Sequence, residues 1–236
     1  TQPGVMMLLE VDTAQDLWIQ VKFSPTLAPM HLKTPPPDIH WDGGRRELVA
    51  REATNHVELR ARFPFAESSR PLENGAWAIT LRISPADARN FLIPMLFGLS
   101  WPEGASADAT LATMRDHFGD LLEESIRHYQ TLLDHAPEVR SPDPLVNEAM
   151  RWSTVSLDQL RIKNPYLGYG LVSGYSLSRN ETVPRYCWFF DEPTLSSWAY
   201  HRVGLSGHVR DAFRMLMRYQ REDGKTVHEI PQSLPF

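Results

Sequence analysis

Cysteine is nearly absent from this chain of 236 residues. Cys187 stands alone, so neither an internal disulfide nor an all-cysteine metal site can form, and the compartment stays open. Core packing is the expected role of that thiol, because no histidine is obviously paired with it. Long hydrophobic runs are also missing. The longest, such as 5–9 and 91–99, fall far short of the roughly 20 residues that cross a bilayer as a helix, so a membrane partner is not expected. Cations are not in excess: 24 Lys and Arg stand against 29 Asp and Glu, for a net charge of −5. Nucleic-acid binding needs the opposite balance and is not expected either. There is no Gly-rich phosphate loop and no Gly-x-Ser-x-Gly elbow. The nine His are scattered, and His31 and His40 share no helical spacing, which argues against a metal enzyme.

What is present is ordinary in bulk. Hydrophobic residues make up 42% and charged residues 22%, which suits a globular protein of one large domain or two ordinary ones. Tryptophan and proline are richer than usual, at 7 and 19. Tryptophan at this density fills large cores. It also builds sugar sites, where flat rings stack on pyranose faces. The chain starts at Thr1 with no charged-then-apolar-then-small leader, as a trimmed chain or a fragment of a longer protein would, and a signal peptide could have been lost from it.

The two halves have different periods. Alternation marks strands at 17–23, 56–63 and 77–83, each with one apolar face and one polar face. That is the pattern of an antiparallel sheet wet on one side. Pro35-Pro36-Pro37 and Asp42-Gly43-Gly44 fall between strands as loops. The first half is expected to be a β-sandwich. After about residue 115 the period becomes helical. Phe118, Leu121, Leu122, Ile126, Tyr129, Leu132 and Leu133 share one face, and Ala136-Pro137 ends that helix. Asp143 then reads as an N-cap with Pro144 at the first helical position. A glycine- and tyrosine-rich loop is expected over about 163–187, long enough to suggest a function. Helices come next over 194–203, stopped by Gly204, and from Val209 to Tyr219, ended by Asp223-Gly224. Helical hairpins that bury one face against the next build a bundle or toroid. Three or four helices do not close one, so the natural protein is expected to continue beyond Phe236.

The chemistry concentrates in 185–229. Three aromatics, Trp188-Phe189-Phe190, sit beside Asp191-Glu192-Pro193. Arg221-Glu222-Asp223-Gly224 and His228-Glu229 come soon after. Glycoside hydrolysis needs two carboxyl groups, one held protonated, and an apolar neighbourhood raises a carboxyl pKa in the required direction. Asp191 and Glu192 have such neighbours. The same two residues before Pro193 also read as an ordinary helix N-cap, and Glu222-Asp223-Gly224 as a solvated helix end.

Four stretches carry a resemblance when taken in order. They are Leu157-Asp158-Gln159-Leu160, the loop Gly170-Leu171-Val172-Ser173-Gly174-Tyr175, Trp188-Phe189-Phe190, and the unbroken run Gln220-Arg221-Glu222-Asp223-Gly224-Lys225-Thr226-Val227-His228-Glu229. Together they resemble the amylo-α-1,6-glucosidase (bacterial glycogen-debranching) group of glycoside hydrolases. By motif the likeness covers about 117–236. It implies a β-sandwich over 1–115, a linker helix over 116–142 and, over 143–236, the first helices of an (α/α)6 toroid. It also implies an inverting hydrolase of α-glucosidic bonds in an oligosaccharide or α-glucan, working without metal or organic cofactor and completed by the rest of its own C-terminal catalytic domain. Trp188 and Phe189 would stack against sugar. Arg221, Asp223, His228 and Glu229 would line the substrate site. One departure stands out. The group reads Trp-Phe-Phe-Gly-Arg-Asp, with the final Asp as general acid. Here Pro193 takes that place, leaving Asp191 or Glu192 to act from a shifted loop, or leaving a weakened or inactive carbohydrate-binding relative. The base of the group would fall beyond Phe236.

Overall fold

The computed structural model describes residues 3–25, 27, 36–54, 56–89, 92–164, 167–172, 189–190, 196–227 and 229–230. Of Asn74, Asn164, Phe189, Phe190 and Glu229 it describes the backbone alone. The described residues up to Leu121 form one compact unit, and those from Leu122 form a second.

The first unit is rich in antiparallel sheet. Its strands are β1 (Gly4–Glu10), β2 (Leu17–Phe23), β3 (Asp38–Asp42), β4 (Glu47–Glu52), β5 (Val57–Arg62), β6 (Ala66–Pro71), β7 (Trp77–Ile83) and β8 (Leu92–Ser100). They pair as a five-stranded sheet in the order β1-β8-β5-β4-β3 and a three-stranded sheet in the order β2-β7-β6. The alternation expected for β2, β5 and β7 is the alternation found, with Ile79, Leu81 and Ile83 of β7 almost wholly buried. These residues meet Leu48, Ala61, Ile93 and Met95 of the larger sheet in a single apolar cluster, so the inner faces of the two sheets share one core. Phe63 is wholly buried in it, with Phe23 and Phe97 edge-on at 6.4 and 6.0 Å.

Two short helices complete this unit. The first, α1 (Pro85–Ala88), begins with a reciprocal capping box between Ser84 and Asp87. The second, α2 (Ala107–Asp116), is capped by Ser106, whose hydroxyl accepts from the Ala109 amide at 3.1 Å. A helix here lies outside the expectation of an all-β first half. It packs through Leu111 and Met114 on Leu96 of β8. Gly4 and Gly98 are direct cross-strand partners beneath it. A Cβ on Gly98 would stand 2.7 Å from the Ala107 carbonyl oxygen, and one on Gly4 would stand 2.8 Å from the Thr110 methyl. The glycine pair is what allows backbone and helix to touch.

The helix also corrects the expectation of a wet polar face. Glu47 is fully buried. Arg62, its register partner, donates to it through Nε at 2.8 Å, and Arg60 Nη1 does so at 3.3 Å. Arg60 also reaches Glu58 at 2.6 Å and Asp108 of α2 at 3.1 Å. The charged side of β4 and β5 is therefore half-covered, and its charges are paired because an unpaired buried charge is strongly destabilising.

The second unit is mainly helical. It holds α3 (Phe118–His135) from Leu122 onward, α4 (Pro144–Gln159), α5 (Ser197–Arg202) and α6 (Ser206–Arg218). Asp143 caps α4, its Oδ1 accepting from the Leu145 amide at 2.9 Å, with Pro144 in the first turn. Gly204 ends α5 with φ of 82°, a left-handed conformation that suits glycine. The expected loop over 163–187 departs from expectation where it is described. A hairpin of β9 (Arg161–Asn164) and β10 (Gly168–Leu171) opens it. Arg161 pins the hairpin, donating twice to Asp211 of α6 at 3.0 and 2.7 Å while its guanidinium lies 4.1 Å from the centroid of the Tyr169 ring. Two remaining short strands are β11 (Phe189–Phe190) and β12 (Glu229–Ile230). No described helix is long and apolar enough to cross a membrane.

Candidate functional site

The region richest in sequence signals is organised by α6 and the turn at its C-terminal end. The amphipathic face of α6 buries Val209, Ala212, Met215 and Leu216. Met215 and Leu216 join Leu167, Val172, Val227 and Ile230 in one apolar cluster. After the C-cap at Tyr219 the chain makes a tight turn. The Gly224 amide donates to the Arg221 carbonyl at 2.9 Å, and the Arg221 amide donates to the Lys225 carbonyl at 3.0 Å. Gly224 takes φ of 82° to permit this. Asp223 accepts from the Lys225 amide at 3.0 Å. The turn delivers Val227 and Ile230 into the core.

Ile230, with no exposed surface, anchors β12. Through it β12 pairs antiparallel with β11, with Phe189 opposite Ile230 and Phe190 opposite Glu229. Two stretches singled out separately in the sequence are thus adjacent in space. Phe189 and Phe190 of the Trp-Phe-Phe run and Glu229 of the His-Glu run share one small ladder, and β10 approaches β11 as well.

Of the other expected site residues, Arg221 and Asp223 are described, and these two do not gather there. Arg221 and Asp223 are exposed and pair with each other at 3.0 Å across the turn. Neither joins the β11–β12 ladder. Trp188, Asp191, Glu192 and His228 lie outside the described residues, as do Pro193 and Cys187. Phe189 and Glu229 are placed by backbone only.

A second cluster of chemistry-bearing side chains escaped sequence reasoning. Asp158, near the end of α4, accepts from two imidazoles at once. His128 Nε2 of α3 reaches its Oδ2 at 2.8 Å, and His208 Nε2 of α6 reaches its Oδ1 at 2.9 Å. A carboxylate only accepts, so both Nε2 atoms carry their protons. Burial raises the Asp158 pKa, but the hydrogen bonds from His208 and His128 together outweigh it and hold the carboxyl below its ordinary value. His135 donates through Nδ1 to the Thr131 carbonyl at 2.7 Å. These groups line an open cleft of about 520 Å³ with Leu132, Val203 and Leu205. Chemically the cluster is a charge-assisted tie between three helices. Among the described residues no group of three or more His, Cys, Asp or Glu is arranged to hold a metal ion. The signal that could have revealed it is weak, because the partners lie 30 and 50 residues from Asp158 in sequence.

No family model matches this chain, and a comparison with curated proteins finds no match.

Proposed function

We propose that the chain belongs to a carbohydrate-active protein built around an (α/α)6-type catalytic unit, and that its reaction is hydrolysis of α-glucosidic bonds with inversion. The observation that supports this reading best is the pairing of β11 with β12. It puts an aromatic stretch beside a His-Glu stretch, and stacking plus charged hydrogen bonding is what pyranose recognition requires. The order of the two units, sheet-rich and then helical, supports it as well. On this reading Trp188 and Phe189 stack against the sugar, and His228 and Glu229 bind its hydroxyls. Asp191 or Glu192 donates a proton to the leaving oxygen, and a second carboxylate activates water from the opposite face. No metal or organic cofactor takes part.

Pro193 favours a second reading, a sugar-binding relative without turnover. Proline stands where the resembled group carries its acid, and it has no proton to give. Reducing-sugar release by the full-length gene product separates the two. The panel is α-1,4- and α-1,6-linked gluco-oligosaccharides, trehalose and limit dextrin. Release that falls at least tenfold in Asp191→Asn or Glu192→Gln supports hydrolysis by a displaced acid. Calorimetric binding without release supports the second reading. In either case Glu229→Gln is expected to weaken binding or turnover at least tenfold, as losing a charged hydrogen bond does. Unchanged affinity and rate would remove Glu229 from the site.

A further inference from the structure

The outward face of the three-stranded sheet in the first unit has a composition that its structural role does not explain. Alternation sends Ile19, Val21 and Phe23 of β2 toward the core and Trp18, Gln20 and Lys22 to the other side. Register then builds three cross-strand rungs on that side. Trp18 stands opposite Arg82, Gln20 opposite Thr80, and Lys22 opposite Ala78. On the far side of β7, Ser68 extends the second rung and Arg70 the third. Successive rungs are roughly 6.8 Å apart.

The first rung is a fixed aromatic. Trp18 is 55% exposed, yet its Nε1 donates to Glu67 at 2.8 Å and the Arg82 guanidinium lies 5.7 Å from its centroid. Arg82 is in turn held by Asp16 at 2.6 Å. A ring locked in this way loses little freedom when something stacks on it. Shielding an edge strand would account for the ring and its clasp. It does not account for the third rung. There Lys22 and Arg70 flank the small Ala78 and line an open cleft of about 650 Å³ with Pro71, Leu72 and Glu73. Neither cation has an ion-pair partner among the described residues. Two unpaired cations against one carboxylate, in a chain of net charge −5, form a local anion trap. Between trap and ring lies a row of amide and hydroxyl groups.

We propose that this face binds an acidic oligosaccharide. An apolar face of one sugar stacks on Trp18, hydroxyls meet Gln20, Thr80 and Ser68, and a carboxylate enters the Lys22–Arg70 cleft, where a guanidinium can take it bidentately. Single-stranded nucleic acid also stacks on aromatics beside cations, but it needs a longer basic track than two side chains, and Glu67 and Glu73 border this one. The site is separate from the one assigned to the second unit and does not depend on hydrolysis there.

The test is calorimetric titration of the whole chain with oligogalacturonate, with its methyl ester as the neutral form of the same backbone, and with oligo-dT. Oligogalacturonate is expected to bind, and the ester and oligo-dT at least tenfold more weakly. Trp18→Ala and the double variant Lys22→Gln/Arg70→Gln are each expected to lose at least tenfold. Trp18→Tyr, which keeps a ring, is expected to retain most of the affinity, and it guards against a folding defect in Trp18→Ala. The double variant alone is expected to flatten the salt dependence. Glu229→Gln is expected to leave this binding unchanged, which keeps it distinct from the α-glucan site. No binding, equal binding of the ester, undiminished binding by the double variant, or oligo-dT binding as tightly would each overturn the proposal.

Discussion

The two units bury their apolar residues in different ways. In the first, residues from both sheets converge on a closed core, with Ala61, Phe63, Ile79 and Ile83 at zero exposure. In the second, α3 has no buried residue and α4 has one, Thr154. Leu145, Trp152 and Trp198 are exposed at 76, 61 and 76%. Two facing sheets close a core between them because two inner faces suffice. A helix buries only a stripe and needs neighbours along it. The burial that the second unit does achieve gathers around α5, α6 and β10. Polar ties, Asp158 between two histidines and Arg161 on Asp211, add to this burial.

This contrast can be tested by substitution. The largest effect is expected in the closed core. Ile79→Ala should cost about 2–5 kcal/mol, because it leaves a cavity in packed surroundings. Ile126→Ala on α3, at 49% exposure, should cost well under half of that. Urea unfolding followed by near-ultraviolet circular dichroism reads both, and equal losses would mean that the helical faces are as well packed as the sheets.

A smaller effect is expected where backbone approaches backbone. Gly98→Ala should cost about 1–3 kcal/mol as the strand and α2 are pushed apart. Gly207→Ala, with nothing within 4 Å of its Cβ position in α6, should be neutral or stabilising by up to about 1 kcal/mol. Thermal midpoints of the two variants should move in opposite directions, and a neutral Gly98→Ala would refute the tight contact.

The smallest effect concerns Asp158. Asp158→Asn should cost about 1 kcal/mol near neutral pH, since the amide keeps an acceptor but loses the charge. The folded-state pKa of Asp158 is lowered, so its contribution is fully present above the unfolded value of about 3.9 and is lost as pH falls through the folded value. The gap between variant and parent in urea midpoint should therefore narrow as pH falls below about 4. A gap that persists at the acid end would show that the charge on Asp158 is not its cause.

Legibility of the fold followed exposure. Strands with one covered face, β2, β5 and β7, betray themselves by alternation. β4 and β8 do not, because neighbours cover both their sides and polar or apolar residues run together. The α2 helix was hidden inside a half that otherwise reads as sheet. At the candidate site, the aromatic run and the His-Glu run were visible as composition. Their pairing as β11 and β12 was not, since nothing local specifies a two-residue ladder between segments so far apart. Arg221 and Asp223 drew attention by motif, and the structure has them shaping a turn.

Short-range physics made a defined part of this protein readable from its residue order. Periodicity marked β2, β5 and β7 as strands and α3, α4 and α6 as helices, Asp143-Pro144 set the start of α4, and Gly204 set the end of α5. These depend on a few neighbouring residues, so they survive without a fold. Long-range placement did the rest. Only the folded chain brings Gly4 against Gly98 under α2, Glu47 between Arg60 and Arg62, and His128 and His208 onto Asp158. It also aligns Trp18 and Lys22 with Arg82, Ser68 and Arg70 on one sheet face. Each such contact depends on sheet register or on how helices pack, and those are set by burial summed over a whole unit, a quantity no short stretch of sequence contains.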